Sequence, residues 1–358
     1  MELFCYQAEC GDAIRIRYID DDGNPHNIFL DSGFERTYRN ILRQEINKLI
    51  ETEENIDLWI VSHIHDDHIG GIIKYIKSVE AKEIQDIVKV WLYNSPRQYF
   101  FHSKEKSDDI SSAMSIYQGD KLYNFLNKKN KLSKKDITTE LKSQVFWGMK
   151  IYILSPTPSI ITELRGKYQP NIPFEENEIS TISHATSATG YDYHKKIEEF
   201  NINEFNEDSS LENKSSISIL FEFKNKKILW LADSHPTIIA DTLTKMKYTN
   251  NDPLICDCVI LSHHASKNNN SSFLFDMIRC DKYIISSNGE NNHCLPNKEV
   301  LAKIIRNSNR DLSMSYSLYF TYDTPNLKNI FKSDGNDVSK KWNFNSIYSG
   351  KSHIYIKL

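Results

Sequence analysis

Apolar and polar residues along this chain recur with periods that assign most of its elements. Ala13-Ile14-Arg15-Ile16-Arg17-Tyr18 is strand-like, breaks at Asp21-Asp22-Gly23-Asn24-Pro25 and returns through Asn27 to Leu30, the pattern of a hairpin. Tyr38 to Glu51 carries apolar residues at 41, 42, 46, 49 and 50, the spacing of a helix laid on a sheet. Leu58-Trp59-Ile60-Val61 is apolar without interruption, as a buried strand is, and Lys89 to Tyr93 reads as the next strand. Later, Ile217 to Phe223 alternates, and Asn225-Lys226-Lys227 turns it back into Ile228 to Ala232. Asn297 to Arg306 reads as a helix, and the tail from Leu312 to Leu358 holds several alternating runs. Strands and helices in two such halves predict an α/β chain.

Two polar stretches interrupt the pattern. Residues 95–140 are Lys-rich, with Ile116, Leu122, Phe125 and Leu126 at helical spacing, and predict a helical insertion. Residues 155–214 are rich in Asn, Ser, Glu and Pro and predict a long loop or lid, since loops of this length inside a domain tend to be functional. Residues 307–358 are read as a strand-rich C-terminal extension of one large domain.

The 358 residues are 39% hydrophobic and 26% charged, an ordinary globular composition. A net charge of −4 argues against duplex nucleic acid held by bulk charge; any such binding needs a local basic strip, for which Arg97, Lys104, Lys106 and the Lys128–Lys135 run are candidates. With no apolar run of membrane-spanning length and no basic-then-apolar N-terminus, a cytoplasmic protein without a membrane partner is expected. The six Cys lack zinc-ribbon spacing and read as reduced, buried thiols, with Cys256 and Cys258 on one face of a strand.

The densest chemistry lies in Val61-Ser62-His63-Ile64-His65-Asp66-Asp67-His68-Ile69-Gly70-Gly71, where three imidazoles and two carboxylates occupy six positions after an apolar strand. Imidazole and carboxylate are the ligand set of zinc, manganese or iron. The Gly pair and the following Ile72 to Ile76 read as a turn into a helix, which would hold the ligands in a loop at the strand end.

The pattern His63-x-His65-x-Asp67-His68 resembles the signature of the metallo-β-lactamase superfamily. Phe29-Leu30-Asp31-Ser32-Gly33 is similar to its early Asp-Gly element, Ile228 to Asp233 to the strand that ends in a metal-bridging Asp, and Val259 to Ser266 to the strand that ends in a double His. Glu9-Cys10-Gly11-Asp12-Ala13 and Ile285 to Pro296 resemble the branch that contains the hydrolase domain of bacterial competence proteins. His263-His264-Ala265-Ser266 departs from its His-His-Gly-Ser by one residue, and Ala disfavours the positive φ that Gly accepts. The resemblance implies a four-layer αβ/βα sandwich holding two divalent cations, zinc or manganese. It implies His63 and His65 on one ion, Asp67 and His68 on the other, and Asp233 between them. His263 is read as the last ligand of the second ion, with His264 competing for that place. Asp67, His264 and His293 are read as catalytic, Asp12 and Asp31 as orienting ligand imidazoles, and His235, Ser266 and Asn288 as substrate contacts.

A third His for the first ion, usual in the superfamily, is missing where Ile151 to Pro156 should supply it; His184 is the alternative. The implied activity is hydrolysis by metal-activated water, whose pKa two such cations lower from about 16 to near 7. A phosphodiester, including DNA or RNA, is the expected substrate. A choline phosphodiester, lactone or thioester is the alternative, and a non-catalytic metal-binding subunit comes third.

Overall fold

In the computed structural model, residues 1–97, 110–168 and 190–358 are described. Two β-sheets lie face to face. The first has the order His353–Lys357, Glu2–Tyr6, Ala13–Ile19, Pro25–Asp31, Ile56–Val61, Val88–Tyr93. The second has the order Phe344–Tyr348, Tyr316–Phe320, Lys282–Ile285, Cys258–Ile260, Lys226–Trp230, Ser218–Phe223, Met149–Ser155, Gln144–Phe146.

Each central strand is buried on both faces, which is why it reads as a continuous apolar run. Leu58 and Ile60 enter the core between the sheets, where they join Ile219, Ile228, Trp230 and Ile260. Trp59 and Val61, one residue out of phase, face an outer layer formed by the Arg43–Glu51, Asp66–Glu80 and Ile110–Lys128 helices. Trp59 stacks on Trp91 there, with ring centroids 5.1 Å apart and planes 7° from parallel. Leu229 and Leu231 face the other outer layer, built on the Pro236–Lys245 and Lys298–Ile305 helices. The result is the four-layer αβ/βα sandwich implied above.

Three local readings change. The helix after Val61 starts at Asp66, so Asp67 and His68 occupy its first turn rather than a loop before it. Gly70 and Gly71 lie inside this helix, where they serve close approach: a Cβ at Gly71 would fall 2.5 Å from Ser32 O. Cys256 and Cys258 do not share a face. The chain pairs with Arg279 at Cys256 and crosses to Lys227 at Asp257, so Cys256 joins an outer core and Cys258 the inner one. All six Cys are free.

Arg97 does not belong to an exposed basic strip, because it is buried and paired with Asp120. Lys104 and Lys106 lie outside the described residues.

Of residues 155–214, Pro158–Lys167 is helical, while Tyr193, Ile197 and Phe200 are buried in the outer core of the second sheet. The segment 307–358 adds strands to both sheets. Among the described residues no helix is long and apolar enough to cross a membrane.

Candidate metal centre

Parallel strands in both sheets end at the same rim of the sandwich. Asp31 closes one, His63 follows the next by two residues, and Asp233 and His263 follow two strands of the second sheet. The turns between them pack closely: a Cβ on Gly11 would lie 2.1 Å from Asp67 O, so only glycine fits there.

Asp233 is buried between the two sheets' rims, and each of its oxygens faces two imidazoles. Oδ1 lies 3.3 Å from His68 Nε2 and 3.7 Å from His264 Nε2. Oδ2 lies 3.8 Å from His63 Nε2 and 3.7 Å from His263 Nε2. Asp67 Oδ2 approaches His264 Nε2 at 3.4 Å and His68 Nε2 at 3.7 Å. Among the described residues three groups of candidate ligand atoms result, each within 4.8 Å: His63, His65 and Asp233; Asp67, His68 and His264; and, behind them, Asp12, Asp31 and His68.

The hydrogen bonds behind the imidazoles decide which nitrogen is bare. Ser62 Oγ donates to Asp31 Oδ2 at 2.6 Å, which leaves its lone pairs to accept from His63 Nδ1 at 3.0 Å. His68 Nδ1 donates to Asp31 Oδ2 at 2.7 Å. In their neutral forms both rings therefore present an unprotonated Nε2 toward the carboxylates, the arrangement found behind metal-ligating histidines. Asp12 stands behind His264 at 3.6 Å from Nδ1 and is itself held by Trp230 Nε1 at 2.9 Å.

His68 Nε2, His264 Nε2 and Asp233 Oδ1 are buried, and none has a hydrogen-bond partner. Acceptors facing one another in a dry site repel unless a cation lies between them. A proton is one such cation, and the charges register this. Burial opposes protonation of His68, but Asp233, Asp67 and Asp31 outweigh it and push its pKa well above the ordinary value. For His264 burial is likewise outweighed by Asp233, Asp12 and Asp67, and the pKa rises to about 10. Burial and the positive neighbours His68 and His65 push His63 well below its ordinary value. Hard oxygen and imidazole donors with convergent bare atoms fit divalent zinc or manganese.

Comparison with known proteins adds only fold-level likeness. No family model matches the chain, and no curated protein matches it. Among similar solved structures are the metallo-β-lactamase fold protein YhfI from Bacillus subtilis, a variant of CmlA β-hydroxylase, and a long-form RNase Z from yeast. YhfI is 10% identical, with a TM-score of 0.43 over 99% of this chain and 98% of its own. The CmlA likeness is 12% identical, with a TM-score of 0.41 over all of this chain and 54% of that one. RNase Z is 11% identical at a TM-score of 0.33, over 91% of this chain and 38% of its own. The chain thus spans about half of CmlA and under two fifths of RNase Z.

The other sequence candidates are spread around this centre. His293 is exposed and lines a cleft of about 700 Å³ together with Cys10, Asp66, Arg36, Arg39 and Asn288. His235 is not a surface residue: it is buried, with Nδ1 3.7 Å from Glu207 Oε2 and Nε2 3.9 Å from Asp208 Oδ2. Ser266 is buried, and its carbonyl accepts from Asn270 Nδ2. His184 lies outside the described residues.

Ser62, Asp208, Asn269 and Asn270 were not among the sequence candidates, and each acts by holding another residue. Ser62 acts behind His63, whereas the other three support the turn at 262–266, where His263, His264 and Ala265 all have positive φ, at 46°, 54° and 66°. Non-glycine residues in this region each cost about 1–3 kcal/mol. Asn270 holds the turn, with Nδ2 donating to Ser262 O and Ser266 O at 2.7 Å each. The run Asn268-Asn269-Asn270, three residues beyond the double His, was the one available signal.

Proposed function

We propose that the protein is a metal-dependent hydrolase with two adjacent divalent-cation sites, acting on a phosphodiester. The observation that carries this reading is the convergence of four imidazole Nε2 atoms on the two oxygens of Asp233, with Oδ1 and the Nε2 atoms of His68 and His264 buried and without a hydrogen-bond partner. In this reading His63, His65 and Asp233 hold one ion, and Asp67, His68, His264 and Asp233 hold the other. His264 thereby takes the second-ion place that the sequence reading gave to His263, because its Nε2 sits in the group with Asp67 and His68. Two divalent cations so held lower the pKa of water and stabilise negative charge on the attacked group.

The protein's own groups supply the rest. Asp31 and Asp12 fix ring orientation, and His293, on the cleft wall, contacts the leaving group. Resemblance of Gly11-Asp12-Ala13 and of the 263–266 tetrad to the competence-type branch favours a nucleic-acid or nucleotide phosphodiester. One observation favours a smaller substrate: Arg36 and Arg39 on the cleft wall are paired with Glu9 and Glu35, which leaves the wall without excess positive charge.

The test is metal content after reconstitution with zinc or manganese, followed by assay on bis(p-nitrophenyl) phosphate and on single- and double-stranded DNA. About two ions per chain with metal-dependent cleavage is the expected result. Bound metal without cleavage of these phosphodiesters would transfer the reading to the small-molecule class of choline phosphodiester, lactone or thioester. Absence of metal binding would overturn it.

A further inference from the structure

Ser155 ends the strand from which a third imidazole for the first ion was expected, and among the described residues the tight group there holds only His63, His65 and Asp233. A centre with two nitrogens and one shared carboxylate oxygen is short of the four donors that zinc favours. The rim offers one more imidazole. His263 Nε2 faces Asp233 Oδ2 at 3.7 Å, the same oxygen that His63 Nε2 approaches at 3.8 Å. Two donors each bonded to one zinc at about 2.0–2.1 Å stand about 3.4 Å apart in a tetrahedron, so both separations need only a small contraction around an ion.

The tautomer of His263 is set from behind by a chain of amides. Asp208 Oδ2 accepts from Asn213 Nδ2 at 2.6 Å and from Asn269 Nδ2 at 3.1 Å. Asn269 Nδ2 also donates to Asp233 O at 3.0 Å, which commits its nitrogen and presents Oδ1 to His263 Nδ1 at 2.8 Å. Nδ1 therefore carries the proton, and Nε2 is a bare lone pair aimed at a carboxylate. Asn269 is fully buried, so the orientation is held by the fold rather than by solvent. The consecutive positive-φ residues also turn the two rings apart, with planes 80° to one another, so His264 serves Oδ1 while His263 serves Oδ2.

We propose that His263 supplies, through Nε2, the third nitrogen of the first cation site, with Asn269 and Asp208 as the residues that position it. This rests on the two-ion reading above. The double His then feeds one imidazole to each site, and the centre replaces a ligand from the middle strand with one from the 262–266 turn. His263 keeps about a quarter of its side chain exposed, at 27%, so the site it completes is open to solvent.

The decisive variant is His263→Gly, because glycine adopts the φ of 46° at this position without strain and the turn is expected to keep its shape. Zinc binding by titration calorimetry and the visible spectrum of the Co²⁺-loaded protein are read for wild type, His263→Gly, His63→Ala and His264→Ala. His263→Gly is expected to weaken one of two sites by at least about tenfold, as loss of a ligand or its support does. It should perturb the same Co²⁺ bands as His63→Ala and not those perturbed by His264→Ala. Added imidazole should restore both affinity and spectrum. Asn269→Ala is expected to weaken that same site. Wild-type protein that binds two ions while His263→Gly binds both with unchanged affinity and spectrum would overturn the assignment and leave the two-ion reading standing. Wild-type protein that binds no ion would overturn the reading itself.

Discussion

His68 Nδ1 and Asp31 Oδ2 lie 2.7 Å apart in a contact closed to solvent on both sides. The same carboxylate accepts from Ser62 N at 2.7 Å and Ser62 Oγ at 2.6 Å, so one side chain orients the strand end and two imidazoles together. Asp31→Asn would put an amide NH₂ against a donor whichever way it turned. We expect metal affinity to fall about 10–100-fold, as loss of a partner behind a ligand does. Unfolding free energy should fall by about 1–3 kcal/mol for the donor left unsatisfied. Zinc titration and denaturant unfolding measure the two effects.

Asp233→Asn keeps shape and volume while removing the charge that four imidazoles face. Metal-dependent turnover is expected to vanish with the far-UV circular dichroism spectrum unchanged. Turnover retained in this variant would dispose of the two-ion proposal.

Metal binding at neutral pH should release protons. Without metal the pKa of His264 stands at about 10, since nearby carboxylates outweigh its burial, and that of His68 is also raised. Each ring must lose its proton to become a ligand, so apparent affinity should climb with pH through neutrality and level off near 10. For the metal-free protein the sign is opposite. A folded-state pKa raised above the unfolded value stabilises fully below about 6.5 and is lost as pH rises toward 10. Calorimetry in buffers of different ionisation enthalpy counts the protons; thermal melts of chelator-treated protein against pH check the second expectation.

Asn270→Ala should strike the 262–266 turn without touching a ligand. It leaves Ser262 O without its donor and Ser262 N without its acceptor in a buried site, while Ser266 O keeps its bond from Asn269 N. A loss of about 2–4 kcal/mol is expected from one orphaned acceptor and one orphaned donor on Ser262. Zinc should protect the variant less than wild type, because the turn that carries both His263 and His264 is loosened. Urea unfolding with and without zinc tests both statements.

What was legible beforehand followed from local pattern. The period of the strands and the run from His63 to His68 depend on neighbours in sequence, and both located the rim correctly. The start of the Asp66–Glu80 helix did not, because Gly70 and Gly71 look like a turn until Ser32 is seen against them. Asp208 and Asn269 were invisible for a related reason: Asp208 acts through Asn269, 61 residues along the chain, and an Asn does not announce a ligand. The separate directions of His263 and His264 depend on three positive φ angles, which no composition or spacing encodes.

The pairing of Glu2 with Lys357 and of Tyr6 with His353 has a consequence for how the molecule is made. The first strand stays an unprotected edge until residues 353–357 have left the ribosome. Contacts this distant in sequence are the slowest to form, and an open strand edge invites pairing with other chains in the meantime. Removing the last few residues should therefore show first as aggregation during synthesis.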